Sequence, residues 1–374
     1  MPPSSRKPEW TPDDAGDAFA SRVVPGVAGG QDAPARPAAA RPDGPRRREL
    51  TVEEMVAGVL GGDRTVLARA ITLIESNAPA HFEQAQDVLR HLLPHSGAAM
   101  RVGVTGVPGA GKSTLIEALG LALVRSGHRV AVLTVDPTSS LTRGSILGDK
   151  TRMEQLGRQA DAFIRPSPTG GMLGGVARKT RETMLVCEAA GFDVVLVETV
   201  GTGQSEVTVR SMVDFFLLVL IAGGGDELQG IKKGVVELAD AIAINKADGA
   251  NRPAAEAARA EYNRALHYLT PAIEGWRTRA YTCSALTGEG IEHLWEVAAR
   301  YRAQTQASGA FEARRRAQAG EWLHTLIDEQ LRSRFYSHPA IRAALARVEG
   351  DVMAGRLPAT VAARDLLALL DQDT

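Results

Sequence analysis

The chain has 374 residues, a hydrophobic content of 44% and a formal net charge of −1, so it is long enough for one large domain with helical additions or for two domains. The near-neutral charge excludes a general attraction to nucleic acid or to anionic membranes, and partners must be recognised locally. Two cysteines, Cys187 and Cys283, lie far apart in apolar surroundings, which predicts buried thiols in a reducing compartment. No paired-cysteine motif or histidine cluster indicates a metal-carrying site.

Residues 1–48 are rich in Pro, Ala, Gly and Arg without periodicity, which predicts a disordered tail. They contain no apolar stretch typical of a secretory signal, and the acids Asp13, Asp14 and Asp17 are unusual in a transit peptide. We therefore expect a cytoplasmic protein.

The ordered chain is expected to begin near Thr51, which is followed three residues later by Glu54, as in a capping box. Apolar residues at helical spacing then predict a helical segment over 49–97. Its third helix covers roughly 79–93 and ends near Pro94.

From residue 101 the pattern changes to short runs rich in β-forming residues, separated by helices. The runs predicted as strands are RVGVTG, RVAVLTVD, DAFIRPS, DVVLVET, FFLLVLIA, AIAINK and AYTCSA. Several are apolar almost throughout, as parallel strands covered on both faces are, and the longest apolar run is too short to span a bilayer. The pattern predicts a doubly wound, mostly parallel α/β domain over 98–304.

After about residue 290 helical patterns return, over 291–335, over 338–354 and in a last helix opening at Pro358. The first of these patterns carries an apolar stripe formed by Trp322, Leu323, Leu326, Ile327 and Leu331. This stripe either packs against the chain's own core or forms a surface for self-association. Because it follows a complete α/β domain, we predict that residues 305–374 form a dimerisation region.

Residues 106–113, GVPGAGKS, match the phosphate-binding pattern G-x-x-x-x-G-K-[ST], after a predicted strand and before a predicted helix. Glycines in such a loop let backbone N–H groups surround phosphates at a helix N-terminus, which favours anions. Lys112 is expected to reach the β- and γ-phosphates, and Ser113 to hold Mg²⁺. The nucleotide-binding residues predicted here are Gly106, Val107, Pro108, Gly109, Ala110, Gly111, Lys112, Ser113 and Thr114.

A second motif, NKAD, follows another apolar strand, as the guanine-reading motif of P-loop GTPases does. The carboxylate of Asp248 can accept hydrogen bonds from both the N1–H group and the exocyclic amine of guanine, a pair that adenine does not offer. Asn245 and the stem of Lys246 are expected to frame the base. The backbone after the last predicted strand is expected to help read the base oxygen, through Ser284, Ala285 and Leu286.

Glu198 ends the predicted strand DVVLVE, where P-loop proteins place an acidic residue near the water shell of Mg²⁺. Gly201 is expected to offer its N–H to the γ-phosphate. Two further acids, Asp136 in VDPTSS and Asp149 in GDKTR, are each a candidate for the metal site or a solvated loop acid. Mg²⁺ prefers few carboxylates, phosphate oxygens and water, so Ser113 and these three acids are not expected to be direct ligands all at once.

Thr202 stands directly after Gly201, where Ras-like GTPases place a glutamine that orients water, and Gln204 follows two residues later. No arginine that would stabilise the transition state can be assigned from the sequence. We therefore predict slow intrinsic hydrolysis until a partner completes the site.

The strings GVPGAGKST, VDPTSS, GDKTRM, GGVARKTRE, ETVGTGQSE, GGGDELQGIKKG and INKAD together resemble the MeaB/ArgK type of P-loop GTPase, the relatives of the methylmalonic aciduria type A protein. The resemblance covers about 50–370, and this family carries Glu at the position of Glu198, where small GTPases carry Asp. It implies a G-protein chaperone that binds GTP or GDP with Mg²⁺, forms a homodimer, and serves an adenosylcobalamin-dependent acyl-CoA mutase. Such proteins gate cofactor loading and protect or reactivate mutases acting on methylmalonyl-CoA, isobutyryl-CoA or 2-hydroxyisobutyryl-CoA.

The stretch 223–234 resembles the third switch of that family, and it implies that Asp226, Gln229 and Lys232 report the nucleotide state. With this resemblance, the predicted catalytic residues are Lys112, Glu198, Gly201 and Lys232.

Three other functions remain open from the sequence. A GTPase that delivers nickel or another metal would need a Cys/His delivery motif, and a protein-targeting GTPase of the signal-recognition type would need a methionine-rich or RNA-binding module. A scaffold that binds GTP without turning it over would be separated from an enzyme by comparing binding with multiple-turnover hydrolysis.

Overall fold

A computed structural model of the protein describes residues 48–135, 153–166, 173–199, 205–223, 233–269 and 273–370. Within these ranges the strands are β1 (Met100–Gly106), β2 (Val130–Val135), β3 (Ala162–Pro166), β4 (Val194–Thr199), β5 (Phe215–Ile221), β6 (Ala241–Asn245) and β7 (Ala280–Thr282). They form one sheet in the order β3-β2-β4-β1-β5-β6-β7, and every neighbouring pair is parallel. All seven predicted strands and the doubly wound α/β class are confirmed.

Strand β4 is apolar up to its last two residues because both of its faces are buried. In β4, Val194 and Leu196 belong to one hydrophobic core, whereas Val195 and Val197 belong to the core on the opposite face. Alternate residues of a strand point to opposite faces, so a strand covered on both sides favours apolar residues at successive positions. Polar residues appear only where the strand ends, at Glu198 and Thr199.

Helices fill the connections between strands and extend the chain at both ends. They are α1 (Val52–Leu60), α2 (Arg64–Glu75), α3 (Pro79–Leu92), α4 (Lys112–Arg125), α5 (Glu154–Gly157), α6 (Leu173–Ala189), α7 (Ser205–Arg210), α8 (Lys233–Leu238), α9 (Arg252–Leu266), α10 (Ile291–Ala307), α11 (Ala310–Ser337), α12 (Pro339–Met353) and α13 (Ala359–Ala368). Among the described helices, none combines the length and apolar character needed to cross a membrane.

The N-terminal helices begin as the sequence predicted. Glu54 N–H donates to Thr51 Oγ1 at 3.2 Å while Thr51 N–H donates to a carboxylate oxygen of Glu54 at 3.0 Å, which confirms the capping box. The third helix, predicted over 79–93, is α3, and it passes into a short 3₁₀ turn that contains Pro94. Residues of α1 and α2, such as Val59 and Ile71, share one core with the sheet.

The C-terminal helical stretch predicted over 291–335 is divided into α10 and α11. Gly309 has a φ of 74°, a left-handed conformation that glycine adopts without the clash a Cβ would cause, and the chain changes direction there. The last helix follows Pro358, as predicted. Cys187 and Cys283 are both buried and unpaired with each other, which confirms the prediction of buried free thiols.

Candidate active site

The carboxyl ends of the parallel strands meet at one edge of the sheet, and the phosphate loop predicted from the sequence lies there between β1 and α4. A cavity of about 630 Å³ opens at this edge. It is lined by Pro108, Gly109, Gly111, Lys112, Ser113, Thr114, Thr134, Val135, Glu198, Thr199 and Lys246. Ligands of open α/β sheets bind in this position, so the fold and the motif agree on the location of the site.

Two glycines are required by the path of the loop. Gly106 has a φ of 150°, and a Cβ there would lie 2.0 Å from the carbonyl oxygen of Val219 in the neighbouring strand. Gly111 has a φ of 86°, and a Cβ there would lie 2.7 Å from Asn245 Nδ2. Gly111 is also the N-cap of α4 and supplies no side chain to the N–H groups of its first turn. Those donors and the helix dipole therefore favour an anion in the cavity.

Lys112 is the predicted phosphate-binding lysine, and only 8% of its surface is exposed. Its ammonium group donates to the carbonyl oxygens of Gly106 at 2.8 Å and Val107 at 3.1 Å. Burial lowers the pKa of this ammonium, and the carboxylates of Glu198 and Glu206 oppose that shift. The charge is thus held at the mouth of the loop by carbonyl groups that a phosphate can replace with a stronger, charge-assisted contact.

Ser113 and Glu198 meet across the cavity. Ser113 Oγ donates to Glu198 Oε1 at 2.6 Å, which joins the start of α4 to the end of β4. A serine hydroxyl that donates its proton to a carboxylate still has lone pairs to offer a cation. A hydroxyl and a carboxylate beside a phosphate cradle, with room for water, are a donor set that suits Mg²⁺, so these residues fit the metal predicted here.

The guanine-reading corner is built on Asn245, a residue with 1% exposure at the end of β6. Its Nδ2 donates to the carbonyl oxygen of Ala110 at 2.8 Å, and its Oδ1 accepts from the N–H of Ala285 at 3.1 Å. One side chain therefore fixes the distance between the phosphate loop and the turn after β7. This contact is the physical reason for an asparagine at this position.

Asp248 and Lys246 lie on the same corner. The hydroxyl of Ser284 donates to Asp248 Oδ1 at 2.7 Å, which orients the carboxylate and leaves its other oxygen for a base. Lys246 has a φ of 59° and lines the cavity, and its carbonyl oxygen accepts from Asn251 Nδ2 at 2.7 Å. Leu286 is 82% exposed at the tip of the same turn.

The structure therefore brings the phosphate-loop residues, Glu198 and the base-reading residues to one edge. The other predicted site residues lie outside the described ranges: Asp136, Asp149, Gly201, Thr202, Gln204, Asp226, Gln229 and Lys232. Asp136 directly follows Val135, which lines the cavity.

Sequence reasoning missed a pair of hydroxyls behind the site. Thr105 Oγ1 and Thr199 Oγ1 are 2.8 Å apart, and both residues are fully buried at the ends of β1 and β4. This hydrogen bond aligns the strand that carries the phosphate loop with the strand that carries Glu198. A polar residue at the end of an otherwise apolar strand was the signal available. No local pattern in the sequence marks Glu206, whose carboxylate acts electrostatically on Lys112.

Comparison with known proteins gives the family. Residues 67–340 match the family model described as methylmalonyl Co-A mutase-associated GTPase MeaB. The chain belongs to the MeaB family. It is a GTPase of the MeaB/ArgK type, and GTP is its substrate. The resemblance inferred from the motifs is confirmed.

Relatives are similar in sequence to this chain over most of its length. A putative GTPase of Caulobacter vibrioides is 55% identical over 319 residues, which cover 85% of this chain and 98% of that protein. The GTPase ArgK of Escherichia coli is 48% identical over 290 residues, covering 78% and 88%. The mitochondrial methylmalonic aciduria type A homolog of Mus musculus is 45% identical over 321 residues, covering 83% and 77%.

A solved structure supports the fold of this MeaB-family chain. The crystal structure of a LAO/AO transport system kinase matches with a TM-score of 0.70 at 38% identity, covering 87% of this chain and 99% of that one. The similarity of fold therefore extends over most of the chain.

Proposed function

We propose that this GTPase is a chaperone of an adenosylcobalamin-dependent acyl-CoA mutase, which gates cofactor loading and protects or reactivates the enzyme. The observation that carries the proposal is the match to a family described as mutase-associated, over 67–340. It is supported by the relative whose name refers to methylmalonic aciduria type A. Methylmalonyl-CoA, isobutyryl-CoA and 2-hydroxyisobutyryl-CoA mutases are the candidate clients.

The roles proposed for the site follow from its contacts. Lys112 and the first N–H groups of α4 bind the phosphates, and Asp248, framed by Asn245 and Lys246, selects guanine. Ser113 and Glu198 would hold Mg²⁺, Glu198 through water, and the ion would neutralise the charge that develops on the phosphates. Hydrolysis by the chain alone is proposed to be slow and to be stimulated by the partner.

The segment 223–234 is proposed to carry the nucleotide state to the mutase. It starts where β5 ends, at the edge of the sheet that holds the cavity, and it leads into α8. Asp226, Gln229 and Lys232 are the proposed reporters within it. A segment that joins the nucleotide edge to a surface helix is suited to this role because it links the site to a surface that a partner can contact.

We also propose the domain boundaries and a homodimeric assembly. Residues 49–97 form an N-terminal helical segment, 98–304 the GTPase domain and 305–374 a dimerisation region, with a tail over 1–48. The exposed side chains of Leu323, Ile327 and Leu331 on α11 support a homodimer. A cytoplasmic location is in keeping with two buried free thiols.

The test measures GTP turnover and adenosylcobalamin transfer with each candidate mutase. The client should raise turnover well above the basal rate, and GTP in place of GDP should change the rate of cofactor transfer. If no mutase alters turnover and no nucleotide alters cofactor transfer, the chaperone proposal is wrong while the GTPase assignment stands.

Two neighbouring lysines give a matched pair of variants. Lys232→Ala should abolish most of the stimulation by the mutase and leave GTP binding intact. Lys233→Ala removes the same charge one position later, at the start of α8, and should retain the stimulation. Equal loss in both variants would point to a general charge effect rather than to the proposed reporter.

A further inference from the structure

A buried carboxylate lies at the opposite, amino-terminal edge of the sheet. Asp240 directly precedes β6 and is 1% exposed. Its Oδ2 accepts from the N–H of Phe216 in β5 at 2.8 Å. The nucleotide site makes no use of this group, although a buried carboxylate is costly unless it is paired and hydrogen-bonded.

Two arginines from different helices pair with Asp240. Arg210, the last residue of α7, donates to Asp240 Oδ1 at 3.3 Å and through Nε to the carbonyl oxygen of Leu238, the last residue of α8, at 2.8 Å. Arg314 of α11 donates to Asp240 Oδ2 at 3.3 Å and to the hydroxyl of Tyr301 at 2.7 Å. The ends of α7, α8 and α11 therefore meet at one carboxylate.

A second contact joins α7 to α11 directly. Gln318 Nε2 donates to the carbonyl oxygens of Arg210 at 3.3 Å and Val213 at 2.9 Å. Arg314 also donates to the carbonyl oxygen of Val213, at 3.1 Å. A displacement of the end of α7 would thus break bonds to two successive turns of α11.

The other end of α7 lies close to the nucleotide site. Glu206, in its first turn, is buried, and its carboxylate acts electrostatically on the Lys112 ammonium. The helix has six residues, a length of about 9 Å, so a shift at Glu206 reaches Arg210 with little room for bending. One short helix therefore carries both a carboxylate that acts electrostatically on the phosphate-binding lysine and an arginine of the Asp240 cluster.

We propose that the cluster of Arg210, Asp240, Arg314 and Gln318 transmits the nucleotide state from α7 to α11, the helix that carries the exposed apolar stripe. Bonds to a buried charge are discrete, because a half-broken pair leaves an uncompensated ion in a low-dielectric interior. A change at the phosphates that moves α7 must then move α11 or be resisted by it. This relay does not depend on the identity of any partner.

A neighbouring arginine provides the contrast that the test needs. Arg315 donates to Asp214 at 2.7 and 2.6 Å and to the carbonyl oxygen of Ala99 at 2.7 Å. These contacts attach the same turn of α11 to residues that precede β5 and β1, without reaching α7 or α8. Arg314 and Arg315 are both largely buried, so their variants lose similar packing.

The experiment compares Arg314→Met with Arg315→Met in the full chain. Amide hydrogen exchange of peptides from 323–337 is measured with GDP and with a non-hydrolysable GTP analogue, alongside nucleotide affinity and circular dichroism. In the unaltered protein the two nucleotides should give different exchange rates in α11. Arg314→Met should reduce that difference by roughly 2- to 30-fold with unchanged nucleotide affinity, whereas Arg315→Met should retain it.

Three outcomes would overturn the proposal. In the first, α11 of the unaltered protein exchanges equally with both nucleotides. In the second, the Arg314→Met protein keeps the full difference between the nucleotides. In the third, both variants lose the difference equally, which would indicate that the arginines only attach α11 to the core. If Arg314→Met does not fold, Gln318→Met replaces it, because it loses only neutral hydrogen bonds to α7 and the loop that follows. Its expected result is the same loss of the difference with intact affinity, and retention of the difference would again overturn the relay.

Discussion

The two halves of α11 differ in what their side chains contact: the first half is buried against the rest of the chain, and the second half exposes apolar side chains. From Phe311 to Trp322, one face is buried against the sheet and α6, through charged and amide groups and through the Arg181 guanidinium 4.8 Å from the Trp322 ring centre. From Leu323 onward, apolar side chains at spacing four are exposed, at Leu323, Ile327 and Leu331. The first half is attached by directional polar contacts together with the buried Phe311 ring, whereas the second half exposes apolar area, which suits contact with a second surface.

This contrast corrects a simple interpretation of the apolar stripe. Trp322 and Leu326 are half-buried, whereas Leu323, Ile327 and Leu331 are exposed. Packing against the chain's own core therefore accounts for one face of the helix, and the exposed face stays the proposed surface for self-association. Removing the helix from residue 310 would destroy the attachment as well as the free surface, so point substitutions are the cleaner test.

The largest expected effect is a loss of folding stability when the contacts that hold the first half of α11 to the core are broken. Asp214→Asn removes a carboxylate that is 1% exposed and leaves the Arg315 guanidinium without its charged partner. Breaking one partner of a buried pair costs about 3–5 kcal/mol, which should appear in the free energy of unfolding in urea. The control Asp365→Asn removes an exposed partner of Arg364 and should cost less than about 1 kcal/mol. Similar losses in both proteins would contradict the specific attachment.

The next largest effect concerns self-association through the exposed residues in the second half of α11. Leu323→Ser combined with Ile327→Ser should weaken self-association by about 2–3 kcal/mol and leave the unfolding of the GTPase core unchanged, because only apolar area on the exposed face is lost. Light scattering over a concentration series measures this. Met353→Ser alters a side chain that is 84% exposed on α12 and should leave the assembly intact. A protein that is monomeric at micromolar concentration before any substitution would rule out the homodimer.

A third substitution changes the nucleotide site and should leave both halves of α11 unaffected. Asp248→Asn should weaken GTP binding by about 2 kcal/mol, roughly 30-fold, because a charged acceptor for two guanine donors becomes a neutral amide. Xanthosine nucleotides should bind better to the variant, since they present the complementary pattern. The self-association of α11 should not change. Equal affinity of the unaltered protein for ATP and GTP would show that the NKAD assignment is wrong.

Much of this architecture follows from local patterns. The strands, the capping box at Thr51 and the phosphate loop were predictable because each depends on residues within a few positions of one another. The break at Gly309 was missed, although Ser-Gly in a helical run is a common breaker signal. The helical periodicity that continues on both sides of Gly309 hides the break.

The charged pairs at the amino-terminal edge of the sheet could not be predicted from the sequence. Arg314 lies 74 positions from Asp240, and Arg315 lies 101 from Asp214, so nothing local distinguishes these charges from solvated ones. Their pairing depends on β5 and β6 lying side by side and on α11 returning to that edge. The base-reading corner was predictable in its residues, but the bridge from Asn245 to Ala110 depends in the same way on the strand order.

The last expected effect is a pH dependence of folding stability that arises at Asp240. Burial raises the pKa of Asp240 to about 7, and Arg210 opposes that shift while Asp214 adds to it. Arg314 and Tyr301 also face the cluster. Because the folded pKa lies above the unfolded value, the folded state holds more protons between about pH 4 and pH 7. The stability contributed by this group is therefore full below pH 4 and is lost as the pH rises towards 7.

Asp240→Asn removes that titration, because an amide does not ionise in this range, while its oxygen can still accept from the N–H of Phe216. The free energy of unfolding, measured in urea at steps between pH 4 and pH 7, should fall more steeply with pH in the unaltered protein than in the variant. The variant's absolute stability also changes, since Arg210 and Arg314 lose their carboxylate, but a constant loss does not alter a slope. Parallel slopes would mean that paired arginines keep Asp240 ionised throughout this range, and that the cluster acts as a permanent ion pair.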